Sequence, residues 1–544
     1  MIKHFANLAT YSDLFGTKKT REEIIELIRN LPLLSSFILL SQISTGVYKD
    51  EELKNHLVKN CYNHLNHSFK NNPPPSFVSE KVYSHFLDKI DILKRNFVFS
   101  PQSILTLWKW ILAYGDKSKF NDLQSGVNGL STLSFLTLMT NDYLTKDKFS
   151  KEELNAEIFS NMVFNNQENI LNAISRAVII YTEIAIDREL FSENEFVDIN
   201  SDFFDKYGFT IKEHISIIFG LLAAFMQPKD LGEKWLQNID EIFSQSRLQD
   251  LSKEILTALT IDFDSISTWA KNKIDSFWDY QELKIKPLLM VNEKQFLTFS
   301  TKLLQEQVFT GLYHKVRHIY PENDKRFMDF YGKPFEKYAQ NLVKDALKQT
   351  KLKYKFINEF RYKGTKDSPD IMIRLGDKLL AIEVKSYRLL LSSITDANIE
   401  TINNDTNKLI INPLKQVHDR VKELIELDHC SVKGINEIYL MVVTQGNYPT
   451  LKPYEDLIEG RISKHFSLDV KSYFHLDIEE FEMLCLLLSR KRPIFKVLNN
   501  KDQHKYHSFK NFVFNNSYHI KRLPMLDKEF QKAIAEIQSI LFGD

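Results

Sequence analysis

Residues 368–385 read Ser-Pro-Asp-Ile-Met-Ile-Arg-Leu-Gly-Asp-Lys-Leu-Leu-Ala-Ile-Glu-Val-Lys, opening on Ser368-Pro369-Asp370 and closing on Glu383-Val384-Lys385. Pro369-Asp370 starts one apolar run, Gly376-Asp377 supplies a turn, and a second apolar run carries Glu383 and Lys385 two positions apart. Residues i and i+2 of a strand share a face. Glu383 and Lys385 therefore project together with Ala381, while Ile382 and Val384 point the other way into a core. Folding the two runs back at the Gly-Asp turn brings Asp370 beside Glu383. The outcome is two carboxylates and an ammonium at one spot.

Two carboxylates are hard oxygen ligands of the kind Mg²⁺ takes alongside phosphate and water. A lysine beside them can hold a scissile phosphate or favour an attacking hydroxide. The plain alternative is a cross-strand salt bridge on a surface. Placement among the apolar residues of an otherwise buried strand favours the site.

The segments on either side extend the pattern. Gly332-Lys333-Pro334-Phe335-Glu336 predicts a helix with proline at its first position. Phe335, Tyr338, Ala339, Leu342, Val343, Ala346 and Leu347 follow at helical spacing, with Glu336 on the inward edge. An apolar run from Tyr354 to Phe360 precedes the hairpin. Leu414, Val417, Val421, Leu424 and Ile425 mark a second amphipathic helix, and Ile438 to Val443 reads as a buried strand.

With this order of helix, three strands, helix and strand, the chain resembles the PD-(D/E)xK, or restriction-endonuclease-like, nuclease superfamily over residues 331–485. Asp370, Glu383 and Lys385 match its three motif positions. The resemblance implies a mixed fold class, a large α-helical N-terminal region followed by an α/β restriction-endonuclease-like domain. It implies Mg²⁺ or Mn²⁺ held by Asp370, Glu383 and the carbonyl of Val384, with Lys385 positioning water for in-line attack. Glu336 is expected beside the metal and Gln416 facing the site. As plain alternatives, Glu336 complements the helix dipole and Gln416 is a solvated helix residue. The implied substrate is nucleic acid, DNA ahead of RNA, leaving a 5′-phosphate and a 3′-hydroxyl. A long helical region ahead of one nuclease domain suggests, by analogy, prokaryotic antiphage defence or restriction. A non-catalytic protein keeping the fold for docking is the rival reading.

The chain has 544 residues, 43% hydrophobic and 26% charged, a soluble globular composition with room for several domains. No apolar run is long enough to span a bilayer, the N-terminus lacks a signal-peptide core, and three scattered cysteines offer no disulfide framework. A cytoplasmic protein without membrane contact is expected. The net charge of zero hides an asymmetry, since residues 331–544 hold 34 Lys+Arg against 28 Asp+Glu. Arg490, Lys491, Arg492 and Lys496 open a basic stretch running to Lys510, interleaved with Phe495, Tyr506 and Phe509. Such a stretch can draw phosphates and stack bases, or be an ordinary solvated surface.

Residues 1–275 read as helical, a region for sensing, recruiting a partner protein or oligomerisation. Capping boxes at Thr20/Glu23 and Ser150/Glu153 and a helix from Ser100-Pro101 to Gly115 support this, with a break near 71–76. Residues 276–330 read as a connecting hairpin over 283–299 and a helix from Thr301 toward His318. Residues 331–488 form the nuclease domain and 489–544 a basic extension, with Phe512 to Ile520 extended and Asp527 to Leu541 helical. Cys61, His64 and His67 tempt as zinc ligands, but they spread around a helix without a second ligand pair. No phosphate-binding or dinucleotide-binding glycine loop occurs.

Overall fold

The computed structural model describes residues 8–65, 85, 88–122, 126–144, 150–166, 168–192, 194–226, 235–518 and 521–543. The break near 71–76 lies outside them, as do His67 and the side chains of Cys61 and His64. Two compact units emerge. One comprises 1–149, 216–307 and 540–543, the other 150–215 and 308–539. This partition differs from the linear division expected from sequence, because the helices of 150–215 join the unit that contains Asp370, Glu383 and Lys385, and the connecting hairpin falls in the other.

The first unit is largely helical. Both expected capping boxes form, the second at the start of the other unit, and the Pro101–Tyr114 helix is capped by Ser100 and buried almost throughout. The unit also contains a four-stranded sheet, which the helical reading missed. Strands Leu288–Met290 and Gln295–Thr298 form the expected hairpin, joined by Gln237–Asn238 and Thr260–Asp262. The start of the expected hairpin, from Leu283, instead lies in a short helix, Gln281–Ile285. Each outlying strand is only two or three residues long, too short for a period-2 pattern to register.

In the second unit we number the elements used below in chain order. Helices α1 (Lys151–Asn165) and α2 (Ile170–Ala177) precede α3 (Arg326–Gln349). Strands β1 (Lys355–Asn358), β2 (Ile371–Leu375) and β3 (Lys378–Lys385) follow, then α4 (Asn412–Glu426) and β4 (Glu437–Thr444). Helix α5 (Lys452–Ile462), strand β5 (Val470–Asp477), and helices α6 (Ile478–Leu488) and α7 (Ile494–Asp502) complete the set. The expected succession of helix, three strands, helix and strand is present. The helix expected from Thr301 to His318 is broken into Thr301–Glu306 and Thr310–Arg317.

The sheet order is β5-β4-β3-β2-β1, antiparallel among β1, β2 and β3 and parallel from β3 through β5. Gly376 has φ of +64°, and Leu375 pairs with Lys378 across it. A two-residue hairpin with glycine at the first central position matches the twist of its strands. Strand β3 is buried on both faces, as strands covered by helices on both sides are. Leu379 and Ala381 meet Leu414, Val417 and Val421 of α4 in a core that also takes Phe159 of α1. The Phe159 ring lies 5.1 Å from that of Tyr454 and 5.3 Å from that of Tyr448, which explains why 150–165 belongs to this unit.

Helix α3 begins two turns earlier than its proline suggested, so Pro334 sits inside it. An internal proline forfeits one backbone bond and crowds the preceding turn. Phe327, Phe330 and Tyr331, all buried, compensate: Phe327 stacks on Tyr320 and Tyr331, and Tyr331 meets Tyr313 and Tyr181. Farther on, Phe509–Asn515 is a helix with Ser508 as its cap where an extended run was expected. Its aromatics favour strand in isolation, but among the described residues no strand pairs with it, and tertiary packing prevails. The last expected helix is present as Pro524–Phe542.

Candidate functional site

Strand register places the two carboxylates. Ile371 pairs with Ile382 at the end of the β2–β3 ladder, so the next antiparallel partners are Asp370 and Glu383, on one face. Ser368 fixes the approach: its N–H donates to the Phe360 carbonyl at 2.9 Å and its Oγ accepts from the Phe360 N–H at 3.0 Å. Asp370 is 5% exposed and Glu383 is fully buried.

Each carboxylate is held by a particular donor. The Val384 N–H donates to Asp370 Oδ2 at 2.7 Å, and Lys385 Nζ to Glu383 Oε1 at 2.6 Å. Arg420, on α4, donates through Nη1 to Glu383 Oε2 at 2.7 Å, and the same nitrogen lies 3.6 Å from Asp370 Oδ1. From α3, Gln340 donates to Glu336 Oε1 at 2.9 Å and to the Asp370 carbonyl at 3.4 Å. Glu336 thus stands at the site, as its helix edge suggested.

The electrostatics follow from crowding. Burial, then the charges of Glu383 and Glu336, push the Asp370 carboxyl well above the usual carboxylate range, against Lys385 and the Val384 N–H. Burial, with Glu359 and Glu383, raises Glu336 to about 7. Burial alone would lower Lys385, but Glu383 and Asp370 hold it above its ordinary value, so it is a firm cation. Glu359, at the end of β1, is raised by desolvation and by Asp367 and Glu383. Four carboxylates therefore converge with two cations, and the cluster repels itself unless it is protonated or given more positive charge.

A carboxyl raised above its unfolded value adds stability at low pH that is lost as pH rises through the folded value. For Glu336 the window runs from about 4.5 to about 7. Glu336→Gln should raise the melting temperature of the metal-free chain at pH 8 and change it little at pH 4, as thermal denaturation at both pH values would show.

Two charged participants escaped the sequence reading, as did Gln340. Arg420 lies one helical turn beyond Gln416, which places both on one face of α4. Arg420 makes the ion pairs, and Gln416 makes no hydrogen bond to the carboxylates. Glu359 was passed over as part of an apolar run. Both are charged residues flanking a buried stripe, a signal shared by most amphipathic elements.

Another cluster of metal-ligand types lies between Gln416 and Arg420 on α4, where His418 and Asp419 converge with His465. His418 Nε2 accepts from the backbone N–H groups of Ser467 and Leu468 at 3.1 and 3.2 Å, so its proton sits on Nδ1, 2.8 Å from Asp419. A metal at Nδ1 would have to displace that proton. The histidine instead pins the segment before β5 to α4.

The basic stretch divides. Lys501 is buried and donates to the carbonyls of His504 and Lys505, Lys505 pairs with Glu459, and Lys510 with Glu479. Lys491, Arg492 and Lys496 are exposed and Arg490 half-buried. Phe495 and Phe509 are buried, so neither can stack on a base, contrary to expectation.

A family model described as a nuclease-related domain (NERD) matches residues 332–444. This span runs from α3 through β4 and takes in all of Glu336, Glu359, Asp370, Glu383, Lys385 and Arg420. The chain contains a nuclease-related domain. No curated protein and no solved structure matches the chain. Among the described residues, no single helix is long and apolar enough to cross a membrane.

Proposed function

We propose that the nuclease-related domain is a metal-dependent phosphodiesterase of the PD-(D/E)xK kind that cleaves nucleic acid, with DNA the first substrate to test. The observation that carries this reading is the cross-strand Asp370–Glu383 pair with Lys385 beside it, inside the 332–444 match. The donor set fits Mg²⁺ or Mn²⁺, being hard oxygen in a cluster short of positive charge. Asp370, Glu383 and the Val384 carbonyl would hold the ion, with Glu336 near it. Bound there, it would supply Lewis-acid stabilisation and a more acidic water. Lys385, kept charged, would orient that water and neutralise the phosphate, and Gln416 would contact substrate from α4. By analogy, the reaction serves antiphage defence or restriction, and the first unit recruits a partner protein or a second copy.

Incubating the full chain with duplex DNA, single-stranded DNA and RNA, each with Mg²⁺, Mn²⁺ or EDTA, tests this. Cleavage that EDTA abolishes supports it, the preferred polymer identifies the substrate, and no cleavage of any polymer favours the docking reading. Neutralising Arg490, Lys491, Arg492 and Lys496 together should flatten the salt dependence of duplex binding, by about 0.9 in the log-log slope per lost phosphate contact. An unchanged slope would make this an ordinary solvated surface.

A further inference from the structure

We infer that Arg420 is a built-in competitor for the metal, occupying the cation position between Asp370 and Glu383 and leaving it when a divalent ion binds. The inference rests on the metal-dependent reading above and concerns how access to that site is controlled.

The carboxylates of Asp370 and Glu383 offer four oxygens. Two are engaged by β3 itself, Asp370 Oδ2 by the Val384 N–H and Glu383 Oε1 by Lys385. The other two, Asp370 Oδ1 and Glu383 Oε2, both face Arg420 Nη1, at 3.6 and 2.7 Å. A divalent ion held by those two oxygens would need the lone pairs that now face Arg420 Nη1. Ion and guanidinium cannot share the place.

Arg420 is also built to move. Its side chain keeps 20% of its surface exposed, whereas that of Glu383 keeps 1%. The guanidinium has to be physically displaced before an ion can take those oxygens. Once displaced, its planar fork of donors lies at the mouth of the site, suited to a phosphate oxygen. Lys385 occupies a different oxygen and can stay in place throughout. The two cations near Glu383 therefore have different fates: Lys385 remains as part of the site, and Arg420 exchanges.

Isothermal titration with Mn²⁺ alone, on the full chain, tests this without reference to catalysis. Arg420→Met should bind Mn²⁺ at least about tenfold tighter than wild type, a gain of one decade or more in the binding constant. Arg420→Lys, which restores a cation, should return affinity toward wild type. Equal or weaker binding by Arg420→Met, with wild type binding normally, would overturn the exchange and leave the metal-dependent reading intact. Failure of every form to bind Mn²⁺ would overturn both. If Arg420→Met does not fold, a wild-type crystal soaked in Mn²⁺ decides. The guanidinium should have left Glu383 Oε2 where the ion is bound, and both in place together would refute the inference.

Discussion

Asp370→Asn and Lys385→Ala are each expected to lower the single-turnover cleavage rate by at least about two orders of magnitude while the protein stays folded. The reasoning differs for the two. Asparagine keeps the shape of Asp370 and an oxygen to accept from the Val384 N–H, but removes a charge that a divalent ion requires. Because burial and the neighbouring carboxylates already push Asp370 toward its protonated form, neutralising it relieves repulsion, and the metal-free variant should melt no lower than wild type at pH 8. Loss of activity without loss of stability separates a catalytic carboxylate from a structural one. Alanine at position 385 frees Glu383 Oε1 yet leaves Oε2 paired with Arg420, so the strand should hold while the cation proposed to face the phosphate is gone. Near wild-type cleavage by either variant with Mg²⁺ would place the chemistry elsewhere.

The second large effect is on folding. Arg176 of α2 and Glu482 of α6 form an ion pair with side chains 1% and 2% exposed. The contact is two-pronged, Nε to Oε1 at 2.8 Å and Nη2 to Oε2 at 3.1 Å. Tyr338 of α3 donates its hydroxyl to Oε1 at 2.7 Å, and Asn172 its amide to Oε2 at 3.0 Å. Burial opposes the guanidinium's charge, and Glu482 overcomes it, holding Arg176 well above its ordinary value. Three helices thus meet on one carboxylate, including the helix that carries Glu336. Arg176→Met would leave Glu482 buried and uncompensated, a loss of roughly 3–5 kcal/mol. Adding Glu482→Gln should recover much of it, since the amide oxygen still accepts from Tyr338 and no charge is left to bury. Urea denaturation of the two variants gives the comparison. A single variant within about 1 kcal/mol of wild type, the range of exposed pairs, would show that water reaches this contact.

The motif strands were legible because their information is local. A glycine turn of fixed length and strict alternation along β3 place Asp370, Glu383 and Lys385 without reference to the rest of the chain. Helix α4 was legible as an element, and its polar residue at the site was not. Gln416 and Arg420 share a face one helical turn apart, and that spacing alone does not decide which of them reaches the carboxylates. Pro334 misled for the opposite reason. A strong local rule put it at a helix start, while the aromatic contacts of Phe327 and Tyr331 with Tyr313 and Tyr181, the last far away in sequence, carry the helix through it. The attachment of α1 to the sheet core through Phe159 is likewise non-local and left no trace in the pattern of 150–165.

Hydrolysis of one end-labelled oligonucleotide by the full chain in ¹⁸O-water with Mg²⁺, its products weighed by mass spectrometry, tests the central claim most directly. In-line attack by a water held at Asp370, Glu383 and Lys385 predicts one ¹⁸O in a new 5′-phosphate and a free 3′-hydroxyl on the other fragment. A 3′-phosphate or cyclic phosphate, or cleavage that persists in EDTA, would contradict it.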